Sequence, residues 1–264
     1  MLRRVRFITT AIAPTHAAEA PVHGRADLVP GYRHDAMRRC DVCLIGAGGI
    51  NGEVGHALIR KGVRSLRIFD ADRVELSNLH RQRFFKRDLY ENKAIALARN
   101  LALEATCVTT IEGIPSTIQD ACEWGFDGTC TIACCGVDND PARVFCARYF
   151  ARRDTPCVFL GVSADATCGY VFVQASRADA PCWLCLHPEA VDSTEHTPCA
   201  AGSTIDILKV VAGVAAYAID SCIMARRRAW NYKECFLTGD VPERTTRIPK
   251  NPHCPACAPK RTDA

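Results

Sequence analysis

The run Gly46-Ala47-Gly48-Gly49-Ile50-Asn51 lies between a short apolar segment, Asp41 to Ile45, and a helical pattern that starts at Ile50. A turn without side chains at such a junction lets backbone N–H groups and a helix N-terminus come close to a phosphate. Asp70 ends the next apolar segment, at the separation where an acidic residue meets a ribose hydroxyl. Gly46, Gly48, Gly49 and Asp70 therefore read together as a nucleotide site. It is not a P-loop, because no Gly-Lys-Ser/Thr follows. Beyond Asp70 a polar stretch runs to Gln82, Lys93 opens a helix, and Asp138 follows a third apolar run. Arg81 and Lys93 add two cations, which suit a triphosphate better than a nicotinamide dinucleotide. Asp138 suits the magnesium that bridges phosphate oxygens. Taken singly, Arg81 and Lys93 read as surface charges and Asp138 as a turn residue. Gly46, Asp70 and Asp138 share a placement at strand ends, and Arg81 and Lys93 gain their meaning beside them.

Thiols supply a second constellation. Cys182-x-x-Cys185 and Cys254-x-x-Cys257 are two short pairs far apart in sequence. Each pair can grip one edge of a tetrahedral Zn²⁺, and together they complete a closed structural site. Chance spacing is the rival explanation in a chain with 17 cysteines, and Cys40-Asp41-Val42-Cys43 shows that a stray pair occurs. That pair sits at the entry to a buried strand and reads as core. Cys134 and Cys135 read as packing residues.

These groups need a scaffold that gathers strand ends. Apolar runs at Asp41 to Ile45, Ser65 to Phe69, Cys107 to Ile111, Thr129 to Cys135, Cys157 to Leu160 and Gly169 to Ala175 predict strands. Between them, Ile50 to Lys61, Lys93 to Leu103 and Pro141 to Ala151 carry helical periodicity. Strands and helices alternating at these lengths predict an α/β fold with a doubly wound, Rossmann-like sheet. Ligands of open α/β sheets sit beyond the carboxyl ends of the strands, where Gly46, Asp70 and Asp138 all fall. The reading divides the chain into an N-terminal arm (1–37), the nucleotide-binding domain (38–175) and a C-terminal part (176–264). The last holds a long helix from Ser203 to about Arg226, with a capping box expected at Ser203 and Asp206, then a strand from Lys233 to Leu237.

Gly-x-Gly-Gly-x, Asp70-x-Asp72, Ser77-Asn78-Leu79-x-Arg81-Gln82, the later Lys93 and Val137-Asp138-Asn139 occur in an order that resembles the ThiF/MoeB/HesA family of ubiquitin-activating-enzyme-like adenylyltransferases. The resemblance runs from about Arg39 to Cys257. It implies that Asn78, Arg81, Gln82, Lys93 and Asp138 line an ATP site, with Asp70 and Asp72 at the ribose. It implies zinc on the two cysteine pairs, tying the tail to the domain. It also implies a nucleophilic cysteine on a crossover loop, matched by Cys199 in Thr197-Pro198-Cys199-Ala200-Ala201-Gly202, ahead of a helix that would favour its thiolate. The implied reaction is Mg²⁺- and ATP-dependent adenylation of a small ubiquitin-like or sulfur-carrier protein ending in Gly-Gly, with transfer to Cys199 as a further step. A conjugating enzyme or sulfur donor would be a further partner. A homodimer is implied too, with an N-terminal arginine entering the partner's ATP site. The usual Arg-Tyr-x-Arg-Gln is absent, and Arg25 or Arg33 stands nearest that role. Two positions depart from the pattern: Asn51 replaces a small residue, and Tyr90 stands where a glycine often precedes the lysine.

The 264 residues suffice for one substantial core, and a formal charge of +4 gives no argument for nucleic acid. No apolar run is long enough for a bilayer. The opening MLRRVRF-ITTAIAPTHAAEA loosely mimics an export signal, but its apolar stretch is short and broken, so it reads as a mobile tail. An odd number of thiols without scaffold spacing points to a reducing compartment, and the expected location is the cytoplasm. A nicotinamide-dependent oxidoreductase would use the same fold but leaves Arg81, Lys93 and both cysteine pairs without a role. A non-catalytic zinc-containing binding module is the other rival.

Overall fold

A computed structural model describes residues 3–12, 21–177, 179–193 and 202–257. The apolar run Asp41–Ile45 forms β2, Ser65–Phe69 β3, Thr110–Ile114 β4, Ile132–Cys135 β5 and Cys157–Val162 β6. These five pair in parallel in the order β4-β3-β2-β5-β6. The chain winds outward from β2 through β4, returns beside β2 as β5, and winds the other way. That reversal makes the gap between β2 and β5 a topological switch point, where α/β sheets place ligands.

Antiparallel strands extend both edges. Cys168–Gln174 (β7), Tyr232–Phe236 (β8) and Arg244–Thr246 (β9) follow β6. On the far side Val5–Ile8 (β1) pairs with β4, inside a segment whose sequence predicted no strand. Arg6 Nε donates to Glu112 Oε1 at 2.8 Å, and Arg67 Nε lies 3.4 Å from the other oxygen. Glu112 is thus buried between cations of its two neighbouring strands. A hydrophobic pattern alone does not reveal such an edge strand, because its pairing partner lies far along the chain.

Helices cover both faces. Gly49–Arg60 (α2), Lys93–Ala102 (α3) and the long Ile205–Ile223 (α7) share a core with Val42, Leu44, Leu66 and Ile111. Ile118–Glu123 (α4) and Asp140–Ala151 (α5) pack on the opposite face with Cys43, Ile45, Phe69 and Phe159. Alternate residues of β2 therefore serve opposite layers, as the period of two requires. The short helices His34–Met37 (α1) and Trp183–Leu186 (α6) complete the set. No helix among the described residues is long and apolar enough to cross a membrane.

Several boundaries differ from expectation, and those of β4, β5 and the start of α7 bear on the site. β4 starts at Thr110 rather than Cys107 and runs through Gly113, where an added Cβ would lie 2.7 Å from Ala94 O and Ile95 Cα. Helix α3 rests on that bare backbone, so β4 continues beyond the residues that look apolar. β5 begins at Ile132 rather than Thr129. α7 begins at Ile205 with Thr204 as its N-cap and no side-chain capping bond, so the expected Ser203–Asp206 box does not form.

Candidate functional site

The glycine turn occupies the switch point. Gly46 leaves β2 with φ +89°, a left-handed conformation that L side chains rarely adopt, and its N–H donates to Phe69 O at 2.8 Å. A Cβ there would lie 3.2 Å from Gly136 O, just beyond β5. The other two glycines have different reasons to be bare. Gly48 is the N-cap of α2, and none of the described residues lies within 4 Å of a Cβ placed there. A Cβ on Gly49 would lie 2.4 Å from Leu208 Cδ1 of α7 and 3.3 Å from Arg81 O. Gly48 is therefore bare without a packing reason among the described residues, while Gly49 admits α7 and the Arg81 backbone.

Asn51 was read from sequence only as a departure from pattern, and the structure gives it a function in the fold. It is fully buried on α2. Its Nδ2 donates to Ile45 O at 2.8 Å and Gly46 O at 2.9 Å, and Cys134 Sγ donates to its Oδ1 at 3.4 Å. A Cβ on Gly136 would be 2.8 Å from Asn51 Cγ. One amide thus fastens the end of β2 to β5 and pins both sides of the switch point. The signal in the sequence was a polar residue at a core position of a helix, opposite a second glycine after β5.

Asp70 follows β3. Its Oδ2 accepts from Ala47 N–H at 2.7 Å and its Oδ1 from Asp72 N–H at 2.8 Å, so the carboxylate braces the glycine turn directly. Burial raises its pKa, against the lowering effect of the Ala47 N–H and the Lys93 charge. Lys93 Nζ pairs with Asp72 Oδ2 at 2.9 Å, and Asn92 Nδ2 donates to both Asp70 O and Asp72 O. Asp70, Asp72 and Lys93 are therefore one connected group. In the Leu76–Asn78 3-10 turn, buried Asn78 accepts from Glu75 N–H at 2.9 Å and holds the loop's shape. Arg81 is anchored through Ser77 O. Gln82 Oε1 is excluded from solvent and has no hydrogen-bond partner among the described residues, as befits a group awaiting one. Asp138 is exposed just beyond β5, while its neighbour Asn139 caps α5 by accepting from Ala142 N–H at 3.0 Å.

Tyr90 has φ +68° and is mostly exposed, so a glycine-like backbone conformation is imposed on a bulky residue. Tyr90→Gly is expected to be neutral or to raise stability by up to about 1 kcal/mol, since relief of strain outweighs the added chain entropy. Urea unfolding of the two forms measures this, and a clear loss of stability would contradict it.

A cavity of about 590 Å³ opens beside this group, lined by Ala71, Arg73, Asn92, Pro115 and Trp124 among others. It lies on the outer side of the Asp70–Arg73 loop.

The four cysteines of the two pairs converge. Their sulfurs lie within 4.8 Å of one another, with Cys182–Cys254 at 3.5 Å, Cys185–Cys257 at 3.4 Å and Cys182–Cys185 at 4.0 Å. Sulfurs placed tetrahedrally around zinc stand roughly 3.8 Å apart, so the spacing fits that ion. Burial raises the Cys182 thiol and pushes Cys185 up to about 11. Burial opposes the Cys254 thiolate too, but the Ala256 and Cys257 N–H groups outweigh it and lower that thiol. Cys40, Cys43, Cys134 and Cys135 are buried in the sheet, as packing residues should be. Cys199 lies outside the described residues.

An α/β sheet with a glycine turn at its switch point, an acidic residue after the next strand and two converging cysteine pairs places the chain in the class of Rossmann-like, activating-enzyme-type folds. Residues 25–256 match the ThiF family, and the chain belongs to it. It is 29% identical over 229 residues to an adenylyltransferase and sulfurtransferase MOCS3 from Caenorhabditis briggsae, covering 84% of this chain and 55% of that protein. It is 24% identical over 233 residues to a sulfur carrier protein adenylyltransferase from Thermus thermophilus, covering 86% of each. Its fold is similar to that of E. coli MccB in a crystal structure with AMPCPP and MccA, with TM-score 0.75, 17% identity, and coverage of 93% of this chain and 76% of that one. The chain thus spans little more than half of the first relative and most of the second.

Proposed function

We propose that this chain uses ATP to adenylate the C-terminal carboxylate of a small ubiquitin-like or sulfur-carrier protein. The observation that carries this reading is the group at the switch point: Gly48 is bare with no described residue packed against it, while Asp70, Asp72 and Lys93 form one network beside it. Family membership and relatives named as adenylyltransferases support the same chemistry.

A protein tail, ending in Gly-Gly by analogy, presents a carboxylate that is already ionised at neutral pH, so no general base is required. One carboxylate oxygen forms a bond to the α-phosphorus, the α–β phosphoanhydride bond breaks, and pyrophosphate leaves with the electron pair. The protein's task is alignment and neutralisation of charge. The N-terminus of α2 and the bare turn receive phosphate. Lys93 exchanges Asp72 for a phosphate oxygen, and Arg81 adds a second cation. Asp138 would hold magnesium, which supplies charge neutralisation on the pyrophosphate. Gln82 Oε1 gains its missing partner from the nucleotide. Cys199 then takes the acyl group from the adenylate, with release of AMP, before a conjugating enzyme or sulfur donor acts. A homodimer completes the site with Arg25 or Arg33. The location that suits this reading is the cytoplasm, where a reducing milieu keeps thiols unpaired and able to bind metal.

The four-cysteine cluster holds zinc in this reading and ties residues 254–257 to α6. Cys254→Ser is expected to release one equivalent of zinc and to lower the thermal midpoint by several degrees, read by metal analysis and calorimetry. Unchanged zinc content would remove the assignment.

Magnesium-dependent ATP–pyrophosphate exchange tests the function, run with a panel of small proteins ending in Gly-Gly. Exchange that needs one such tail is the expected result. ATP binding without exchange on any member would overturn the protein-tail substrate.

A further inference from the structure

A third group of chemistry-bearing side chains lies at the other end of the sheet. His23 comes from the turn after residue 21, His34 opens α1, and Cys107 precedes β4. Their ligand atoms all lie within 4.8 Å of one another. Gly62 and Cys107 precede β3 and β4, so this group sits at the amino ends of the strands, away from the glycine turn. We propose that His23, His34 and Cys107 form a second metal site that binds a zinc-class divalent ion and pins residues 21–37 to the sheet.

Geometry and an orphaned atom carry this. His23 Nε2 is 3.3 Å from Cys107 Sγ and 3.3 Å from Thr106 Oγ1. The two imidazoles are stacked with centroids 3.8 Å apart. His34 Nε2 is sealed from solvent and has no hydrogen-bond partner among the described residues. Left that way, a buried polar nitrogen costs about 1–3 kcal/mol. Coordination would satisfy it. Gly62 marks the same spot from the backbone side, with φ +74°. An added Cβ would lie 2.9 Å from Cys107 Sγ and 3.0 Å from His34 Nε2. Sulfur and nitrogen therefore crowd one bare Cα, which leaves no room for a side chain between them.

Two imidazoles and one thiolate suit zinc better than a hard, oxygen-seeking ion. A water molecule would supply the fourth position. Charges of both signs face the site: Arg38, which donates to Gly62 O and Val108 O, opposes a cation, while Asp27 and, at His34, Asp35 favour one. Burial, first among the causes, lowers the pKa of both histidines. Cys107 gives up its proton to the solvent when the metal binds, so the site gains a negative ligand. A clip here joins His23 to Cys107 across 84 positions of chain. Its effect is to hold the N-terminal segment in place, independently of the adenylation proposed above.

The test uses the full chain without an affinity tag, loaded with a single equivalent of zinc, which the four-cysteine cluster takes first, and then titrated with Co²⁺. Uptake of one Co²⁺ with tetrahedral d–d bands and a single thiolate charge-transfer band is expected. His34→Gln and Cys107→Ser should each weaken that uptake by roughly 100-fold or more, since even the loss of an outer partner costs up to that much. Both variants should keep the zinc of the four-cysteine cluster, which serves as the control for folding. Should one variant fail to fold, His23→Gln replaces it. Absence of Co²⁺ uptake by the unmutated chain overturns the proposal, and so does equal uptake by folded variants.

Discussion

Replacing Asp138 by Ala is expected to lower magnesium-dependent ATP–pyrophosphate exchange by roughly 100- to 1000-fold, the usual cost of removing one group that stabilises transition-state charge. Asp138 is exposed just past β5, and its neighbours do the structural work of that turn. Asn139 caps α5, and Asp140 pairs with Arg143 at 3.2 Å. Nothing among the described residues relies on the Asp138 carboxylate, so the variant should unfold at the same urea concentration as the unmutated chain. Asp138→Asn keeps size and hydrogen bonding but removes charge, and should be nearly as inactive. Exchange that survives either change would sink the assignment of magnesium to this residue.

Asn51→Leu is expected to cost about 3 kcal/mol of stability, although the side chain is similar in volume and the position fully buried. The amide makes two good bonds to carbonyl oxygens of Ile45 and Gly46, and its loss leaves both less satisfied in a dry setting. Leucine gains little apolar contact in return, because the site is walled by the backbone of Gly136. Urea denaturation supplies the measurement. Because the staple also sets the spacing between β2 and β5, the folded fraction should bind ATP more weakly. An unchanged unfolding midpoint would show that the amide is not what holds the switch point together.

Legibility in the sequence followed the range of the forces involved. β2 and β3 have the bounds their apolar runs predicted, since a strand buried on both faces is continuous and ends at a glycine or an acid. β1 and β9 were missed. Val5-Arg6-Phe7-Ile8 pairs with β4, and Arg6 bonds Glu112, 106 residues away; no local pattern encodes that pairing. α4 was also missed, being a short helix marked mainly by Thr117, whose hydroxyl caps it. In the site, Asp70, Asp72 and Lys93 were legible as a set, but their sharing of hydrogen bonds was not. Tyr90 looked like a simple departure, and its positive φ explains why glycine fits there. His23, His34 and Cys107 carry no recognisable spacing, so nothing in the order of residues joins them.

By itself the sequence determined the α/β class, the glycine turn, the acidic residue after β3 and the two cysteine pairs. Those features depend on neighbours within a few residues or on one short spacing, and periodicity and backbone sterics express them locally. Only the tertiary structure decided that Gly49, unlike Gly48, admits α7, that Asn51 clamps the switch point, and that two histidines meet a distant cysteine. Each of these is a contact between segments brought together by sheet order. Such contacts arise from packing a whole core, which no single stretch of chain contains.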